Sequence, residues 1–236
     1  MPLVLAVDTS AKPVSCALVN EDKVLGCFFS NTGLTHSQTL MPMIDSLLKV
    51  SGITVDQLHA VAVNAGPGSF TGVRIGVSAV KGLAFTDDLP CISVSTLEAM
   101  AENTVCPDNA VVCGVMDARC QQVYTALFTR KGGQLVRLTD DEAITIAELG
   151  ERLKELNTTV ILVGDGSELC YRLLQDSLSN LVLAPASVRY QSAAATAVVA
   201  HRKLLAGETV AAEELLPIYL RLPQAERELN ARLNSK

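Results

Sequence analysis

The sequence predicts an α/β protein of two duplicated lobes, each with a mixed β-sheet flanked by helices. Two sets of three short apolar runs, each typical of an antiparallel meander, lie about 110 positions apart. Each meander is followed by a helix, a buried strand and a second helix. The step from Asp8 to Ala17 equals the step from Asp117 to Ala126, so we expect one register in both lobes. Two meanders without common ancestry are the alternative.

In the first lobe, strands are predicted at residues 3–8, 14–19 and 23–29, with polar turns between them. Apolar residues at helical spacing predict a helix over residues 36–51, with Gly52 as its stop. A buried strand at 60–63 and a nearly all-apolar helix at 71–85 follow. The only polar line on that helix is Arg74, Ser78 and Lys81, at positions i, i+4 and i+7.

In the second lobe, strands are predicted at 111–117, 123–128 and 135–138. An amphipathic helix at 145–156, a strand at 160–163 and an Ala-rich helix at 192–205 come next. We therefore divide the chain into an N-terminal lobe, 1–106, a C-terminal lobe, 107–216, and a tail, 217–236. The tail mixes Arg221, Arg227 and Arg232 with Glu226 and Glu228, a pattern that predicts a solvated appendage.

Composition excludes several classes of function. With 236 residues and 49% hydrophobic content, the chain can bury a large core. A net charge of -6 and 4% aromatic residues supply neither the basic stripe nor the stacking surfaces of a direct nucleic-acid binder. The start of the chain lacks a signal peptide pattern, and no apolar run is long enough for a membrane span. A soluble, cytosolic protein is predicted.

The seven cysteines form no Cys-x-x-Cys pair. Their odd number favours reduced, mostly buried thiols over a disulfide framework. The three histidines, His36, His59 and His201, lie far apart in sequence and predict no metal centre. Ser69 lacks the Gly-x-Ser-x-Gly elbow of a serine nucleophile. We therefore predict no catalytic residue, no metal and no cofactor.

Asp8, Thr9 and Ser10 place an acid and two hydroxyls at the end of the first strand. In a phosphate-handling fold, such hydroxyls can contact a phosphate while the acid holds a metal-bound water. The residues alone favour the more ordinary interpretation, an Asx or ST turn.

A glycine-rich segment at residues 66–76 follows the strand at 60–63. It is not a Walker loop, and Thr71 occupies the place of the third glycine of Gly-x-Gly-x-x-Gly. Gly72 and Gly76 create a flat face on the predicted helix, where another backbone can approach closely. Two uses fit this face: packing against the chain's own sheet, or docking of a partner helix.

Several segments together resemble the TsaB family of the bacterial machinery that makes threonylcarbamoyladenosine in tRNA. The matching segments are residues 8–10, 35–42, 65–76 with Gly-Pro-Gly-Ser-Phe-Thr-Gly, 94–97, 117–119, 123–124 and 217–221. The resemblance runs nearly end to end. It implies the actin-like ATPase fold (ASKHA, ribonuclease H-like), with Asp8, Thr9 and Ser10 as vestigial nucleotide-binding residues.

The resemblance also implies a relation to the enzyme TsaD, which carries a metal and transfers threonylcarbamoyl to adenosine in tRNA. Where TsaD has His-x-Glu-Gly-His, this chain is similar in frame but reads Thr96-Leu97-Glu98-Ala99-Met100. Thr and Met are poor replacements for imidazole ligands, so the metal-dependent transfer is expected to be absent.

The resemblance implies a role as a partner. TsaB-like proteins pair with the TsaD transferase through their N-terminal lobes and support it together with the ATPase TsaE, so tRNA is contacted only through the complex. The helices at 36–51 and 71–85 are too apolar for solvent on all sides. We predict that they form the heterodimer face and, in the chain alone, a two-fold homodimer. The interface residues predicted are His36, Leu40, Met41, Ile44, Gly72, Arg74, Gly76, Ser78 and Lys81.

Two alternatives stay open from the sequence. An active phosphotransferase or ATPase of this fold would use Asp8, Thr9 and Ser10, although Ala118-Arg119 after Asp117 is no glycine-rich phosphate turn. A glycoprotease-like metallohydrolase is disfavoured by the missing histidines. Asp117, Arg119 and Tyr124 have no assigned role, since an acid and a base at a strand end often form only a local pair.

Overall fold

The computed structural model describes residues 2–21 and 23–221 and contains two sheets. The first sheet has the order β3-β2-β1-β4-β5, and the second has the order β11-β10-β6-β7-β8, with β9 paired to β7. The strands of the first sheet are β1 (Leu3–Asp8), β2 (Val14–Asn20), β3 (Lys23–Ser30), β4 (Ala60–Gly66) and β5 (Cys91–Ser95). Those of the second are β6 (Val111–Asp117), β7 (Gln122–Lys131), β8 (Gln134–Arg137), β9 (Glu142–Thr145), β10 (Val160–Val163) and β11 (Leu181–Leu183).

The two sheets repeat one topology, because an antiparallel meander is extended by two parallel strands in each. The predicted α/β fold of two mixed sheets is therefore confirmed. The strand registers of the two meanders were predicted to be the same, but they differ by one residue. Asp8 lies opposite Ser15 across residues 9–14, whereas Asp117 lies opposite Val123 across residues 118–122. The second connection is one residue shorter, and its residues 119–121 all take a positive φ, of 63°, 55° and 56°.

Seven α-helices flank the sheets in the described residues. They are α1 (His36–Ser51), α2 (Phe70–Phe85), α3 (Thr96–Glu102), α4 (Ile146–Lys154), α5 (Ser167–Leu174), α6 (Ala186–Arg189) and α7 (Ala193–Leu205). The predicted helices at 36–51, 71–85, 145–156 and 192–205 correspond to α1, α2, α4 and α7. Gly52 ends α1 as predicted, with a φ of 65° and its N–H directed at the carbonyls of Leu48 and Lys49.

Two helices pack on the sheet of the other lobe. The alanine-rich helix α7 follows the second set of strands, yet Ala197 and Ala200 lie in one cluster with Val4 and Ala6 of the first sheet. Conversely, Leu97 and Met100 of α3 pack with Val112 and Phe128 of the second sheet. The predicted lobe boundary at 106/107 lies between the last strand of the first sheet and the first strand of the second. The division into lobes stays a prediction, because α3 and α7 each pack on the sheet of the other lobe.

All seven cysteines are free thiols, and five of them are buried. Burial raises the pKa of Cys113 and Cys170 to about 12, which makes them unreactive core residues. In the part of the chain that is described, none of the helices is long and apolar enough to traverse a lipid bilayer.

Candidate functional site

Asp8 is the centre of a buried hydrogen-bond network at the end of β1. Its Oδ1 accepts from the backbone N of Ser10 at 2.8 Å and from the Ser10 Oγ at 2.6 Å, and its Oδ2 accepts from Asn64 Nδ2. The Thr196 hydroxyl in turn donates to Asn64 Oδ1 at 3.1 Å. Burial raises the pKa of Asp8. The carboxylate thus joins β1, β4 and α7, and its contact with Ser10 N is the Asx turn that the residues alone favoured.

Thr9 is also engaged inside the chain. Its hydroxyl donates to the Gly72 carbonyl at 2.7 Å, and the residue is fully buried. A cleft lies between the two lobes, and of the three residues predicted as vestigial nucleotide ligands only Ser10 lines it. A vestigial nucleotide role therefore stays a prediction, but Asp8 and Thr9 serve the fold in this conformation.

The glycines of segment 66–76 make room for the chain itself. A Cβ at Gly68 would lie 2.4 Å from the Ser10 carbonyl oxygen, and one at Gly72 would lie 2.1 Å from the Thr9 carbonyl oxygen. A Cβ at Gly76 would lie 2.5 Å from Thr9 Oγ1. Of the two uses left open for the Gly72–Gly76 face, the structure therefore shows intramolecular packing.

Four of the predicted interface residues belong to the core of the first lobe, which corrects the predicted set. Leu40 and Ile44 are each 1% exposed and lie in the core cluster of the first sheet, while Gly72 and Gly76 are buried against Thr9. The reason is that the apolar stripe of an amphipathic helix faces its own sheet. These four residues cannot contact a partner in this conformation.

The other predicted interface residues lie on the outside of α1 and α2. Met41 is 46% exposed, Arg74 and Ser78 are exposed, and Lys81 is half-buried. His36, at the start of α1, is half-buried, and its Nε2 donates to the Ala11 carbonyl at 2.7 Å. We call Met41, Arg74, Ser78 and Lys81 the outer helix face.

A C-terminal strap, residues 210–221, crosses α2. The backbone N of Ile218 donates to the Ala65 carbonyl at 2.7 Å, and Lys81 Nζ donates to the Glu213 carbonyl at 3.0 Å. Gly66, with a φ of 135°, makes room for the strap, because a Cβ there would lie 2.2 Å from the Ile218 carbonyl oxygen. This corrects the predicted appendage at residues 217–221. The rest of the predicted tail, 222–236, lies outside the described residues.

A cleft of about 1010 Å³ lies between the two lobes. Its charged lining residues are Lys12, Asp117, Arg119, Asp165 and Arg221, and Tyr124 also contributes to its wall. Asp117 Oδ1 accepts from the backbone N of Arg119 at 2.7 Å, which gives Asp117 a local structural contact. Arg221 Nη1 donates to the Ala118 carbonyl at 2.9 Å, so the strap ends on the second lobe.

Asp165 was not singled out from the sequence. It stands in Gly164-Asp165-Gly166-Ser167 directly after β10, as Gly66-Pro67-Gly68-Ser69 ends β4 and leads into α2. The repeated Gly-x-Gly-Ser after corresponding strands was the available signal. Burial, together with repulsion from Asp117, raises the pKa of Asp165 to about 6.

Thr96 and Met100, where the resemblance would place metal-binding histidines, lie on α3 and are buried. The hydroxyl of Thr96 has no hydrogen-bond partner among the described residues. Met100 Sδ would lie 2.8 Å from a Cβ at Gly164, so Met100 packs tightly against the turn at residues 164–167. Within residues 2–21 and 23–221, no three His, Cys, Asp or Glu residues are grouped so that they could hold a metal ion.

The protein has the actin-like ATPase fold. This fold is defined here by two sheets of the same topology, by helices that pack on them and by a cleft between the lobes. Component A of (R)-2-hydroxyglutaryl-CoA dehydratase from Acidaminococcus fermentans shares this fold, with a TM-score of 0.51 at 11% identity over 87% of this chain and 100% of that chain. YeaZ from Pseudomonas aeruginosa superposes with a TM-score of 0.76 at 28% identity, covering 93% of this chain and 100% of that chain.

Sequence comparison identifies the family. The model of the family described as TsaD, tRNA N6-adenosine threonylcarbamoyltransferase, matches residues 29–229. The tRNA threonylcarbamoyladenosine biosynthesis protein TsaB of Bacillus subtilis is 34% identical over 94% of this chain and 96% of that protein. The protein of the same name from Escherichia coli K12 is 35% identical over 92% of this chain and 94% of its own length. This chain belongs to the TsaB family.

Proposed function

We propose that this chain is a non-catalytic subunit in the biosynthesis of N6-threonylcarbamoyladenosine in tRNA. It binds and activates a TsaD-like transferase, together with a TsaE-like ATPase, and contacts tRNA only through that complex. The names of its full-length relatives support the pathway. We further place it in the cytoplasm, where tRNA is modified.

One observation carries the non-catalytic assignment. Thr96 and Met100 are packed into the core where a TsaD-like enzyme would present histidine ligands. Thr and Met do not replace imidazole at a hard or borderline metal. In addition, Asp8 and Thr9 are occupied by Ser10, Asn64 and Gly72 and do not line the cleft. The activity of the complex is therefore assigned to the partner.

The outer helix face is the proposed site of contact with the transferase, and of a two-fold homodimer when the chain is alone. Met41, Arg74 and Ser78 combine exposed apolar surface with an arginine, a composition typical of protein interfaces. The helices that present them are packed on the first lobe through Leu40 and Ile44 of α1 and the buried glycines of α2.

Reconstitution tests the assignment. Purified TsaD-like transferase, TsaE-like ATPase, tRNA, ATP with magnesium and an activated threonylcarbamoyl donor are combined with and without this chain, and threonylcarbamoylated nucleoside is measured by mass spectrometry. Product is expected only when the chain is present together with the transferase. Product formed by this chain alone, or its hydrolysis of ATP with magnesium, would contradict the proposal and favour the active ATPase or phosphotransferase.

A charge placed on the outer helix face tests the location of the contact. Ser78→Glu is expected to abolish co-purification with the transferase, because its carboxylate adds a charge that must lose water at the interface and also pairs with Arg74 and Lys81, four and three residues away on α2. Ser179→Glu is the matched control, since Ser179 is also exposed but lies on the second lobe. Equal association of both variants would reject the outer helix face while leaving the non-catalytic role intact.

A further inference from the structure

Arg74 on the outer helix face is held in place by the C-terminal strap. Its Nε donates to the Tyr219 hydroxyl at 2.8 Å, and its Cζ lies 3.8 Å from the centroid of the Phe70 ring. The Phe70 and Tyr219 rings stack with centroids 4.8 Å apart and an interplanar angle of 29°. Guanidinium, hydroxyl and two rings therefore form one cluster at the surface.

The strap that supplies Tyr219 is itself firmly anchored. Val210 pairs with Cys91 of β5 through two backbone hydrogen bonds of 2.9 Å. Leu215 is 1% exposed and lies in the core of the first lobe. The hydrogen bond from Ile218 to Ala65 and the absence of a side chain at Gly66 fix the backbone immediately before Tyr219. Tyr219 is thus positioned by the strap rather than by α2.

The cluster leaves one end of the guanidinium available. Nε is used by Tyr219 and one face of the group lies over Phe70, so the two Nη groups remain. Among residues 2–21 and 23–221, Arg74 has no ion-pair partner within 4.0 Å. A planar fork of N–H groups matches the two oxygens of a carboxylate, which an ammonium cannot do.

We propose that the strap pre-organises Arg74 to bind an aspartate or glutamate of the partner subunit, with Tyr219 as the positioning residue. This inference rests on the proposed function and names the partner chemistry at the same face. An unrestrained arginine loses side-chain entropy when it is immobilised, which opposes binding. Here the chain has already paid that cost in folding, so binding retains more of the ion-pair energy. Lys81, held by the Glu213 carbonyl, adds a second positive charge that favours an acidic partner surface.

The test measures the Kd between the full chain and its TsaD-like transferase by calorimetry or surface plasmon resonance, without tRNA, at several salt concentrations. Arg74→Ala is expected to weaken binding by about 30- to 100-fold and to reduce its salt dependence. Arg74→Lys keeps the charge but loses the fork, and is expected to weaken binding about tenfold. Tyr219→Phe keeps the ring and loses the hydroxyl, with an expected loss of about 3- to 10-fold, mainly through faster dissociation.

Two further variants separate positioning from general damage. Arg172→Ala removes an exposed arginine on α5 of the second lobe and is expected to leave Kd unchanged. The double variant Arg74→Ala/Tyr219→Phe is expected to bind no more weakly than Arg74→Ala, because Tyr219 acts through Arg74. The midpoint of thermal unfolding of each variant is expected to stay within about 2 °C of the parent, since Arg74 and the Tyr219 hydroxyl are at the surface.

The outcomes are distinguishable. If the parent chain binds the transferase and both Arg74→Lys and Tyr219→Phe bind equally well, the inference fails and the proposed function stands. Additive losses in the double variant would also overturn the positioning role. The same titrations are repeated with tRNA added, and a loss that appears only then would assign Arg74 to a phosphate and overturn the carboxylate. If the parent chain does not bind the transferase, the proposed function fails, and the inference falls with it.

Discussion

Replacing Gly72 by alanine tests the packing of the glycine-rich segment directly. The added methyl group would lie 2.1 Å from the carbonyl oxygen of Thr9 and 3.3 Å from the Thr9 carbonyl carbon. The clash cannot be relieved by turning a side chain, because the opposing atom belongs to the backbone. That backbone is held on its C-terminal side, where Ser10 N donates to Asp8 and the Ser10 carbonyl accepts from Ser69 N at 2.6 Å.

The size of the effect follows from two opposing contributions. Overpacking of a tight site costs about 1 to 3 kcal/mol, and a backbone obstacle places Gly72→Ala at the upper end or beyond. Alanine recovers up to about 1 kcal/mol through its better helix propensity. The Thr9 hydroxyl bond to the Gly72 carbonyl would also be strained. We expect a net loss of about 2 to 3 kcal/mol in the free energy of unfolding.

Gly82→Ala is the matched control on the same helix. No atom lies within 4 Å of a Cβ at Gly82, and the residue is exposed. The same substitution is therefore expected to stabilise the chain by up to about 1 kcal/mol. Urea unfolding of both variants, followed by circular dichroism, measures the difference. Equal midpoints for Gly72→Ala and Gly82→Ala would refute the packing role of Gly72.

Two further predictions concern the carboxylates of Asp165, which is half-buried, and Asp8, which is buried. The pKa of Asp165 is raised from 3.8 to about 6, so between these values the folded chain keeps a proton that the unfolded chain releases, and stability falls as pH rises through this window. Asp165→Asn is expected to gain up to about 3 kcal/mol at pH 7.5 and nothing near pH 3.5, as measured by urea unfolding at each pH; an equal gain at both would contradict this. Asp8→Ala would leave three buried donors, on Ser10 and Asn64, without an acceptor. We expect the free energy of unfolding, measured by thermal unfolding, to fall by about 3 kcal/mol. Unchanged stability would show that Asp8 is not a structural residue.

Local patterns sufficed to predict most elements of the fold. The apolar period along residues 36–51 and the glycine after it determine α1 and its end, because helix formation and capping depend on neighbouring residues. The meander strands follow in the same way from short apolar runs between turns. Six short elements of three to eight residues were not predicted, because so few residues carry little periodicity: β5, α3, β9, α5, β11 and α6.

The candidate site was only partly predictable. The residues of the glycine-rich segment and the line Arg74, Ser78 and Lys81 could be named from spacing, and Ser78 is exposed as a surface position requires. Whether the apolar stripe of α1, with Leu40 and Ile44, faces its own sheet or a partner could not be decided from the sequence. For the glycines of α2 even the inward face was open, because a helix that is apolar almost all round has no unique buried side until a sheet covers one.

Sequence by itself determined the α/β class, the repeated meanders and the family resemblance, because each depends on residues close together in the chain. Tertiary structure alone decided that α7 covers the first sheet, that Gly66 makes room for Ile218, and that Tyr219 holds Arg74 from 145 positions away. The physical reason is that these contacts join residues far apart in the chain, which meet only when the chain folds around both sheets. The local preference of a segment for helix or strand does not specify which distant segment it will contact.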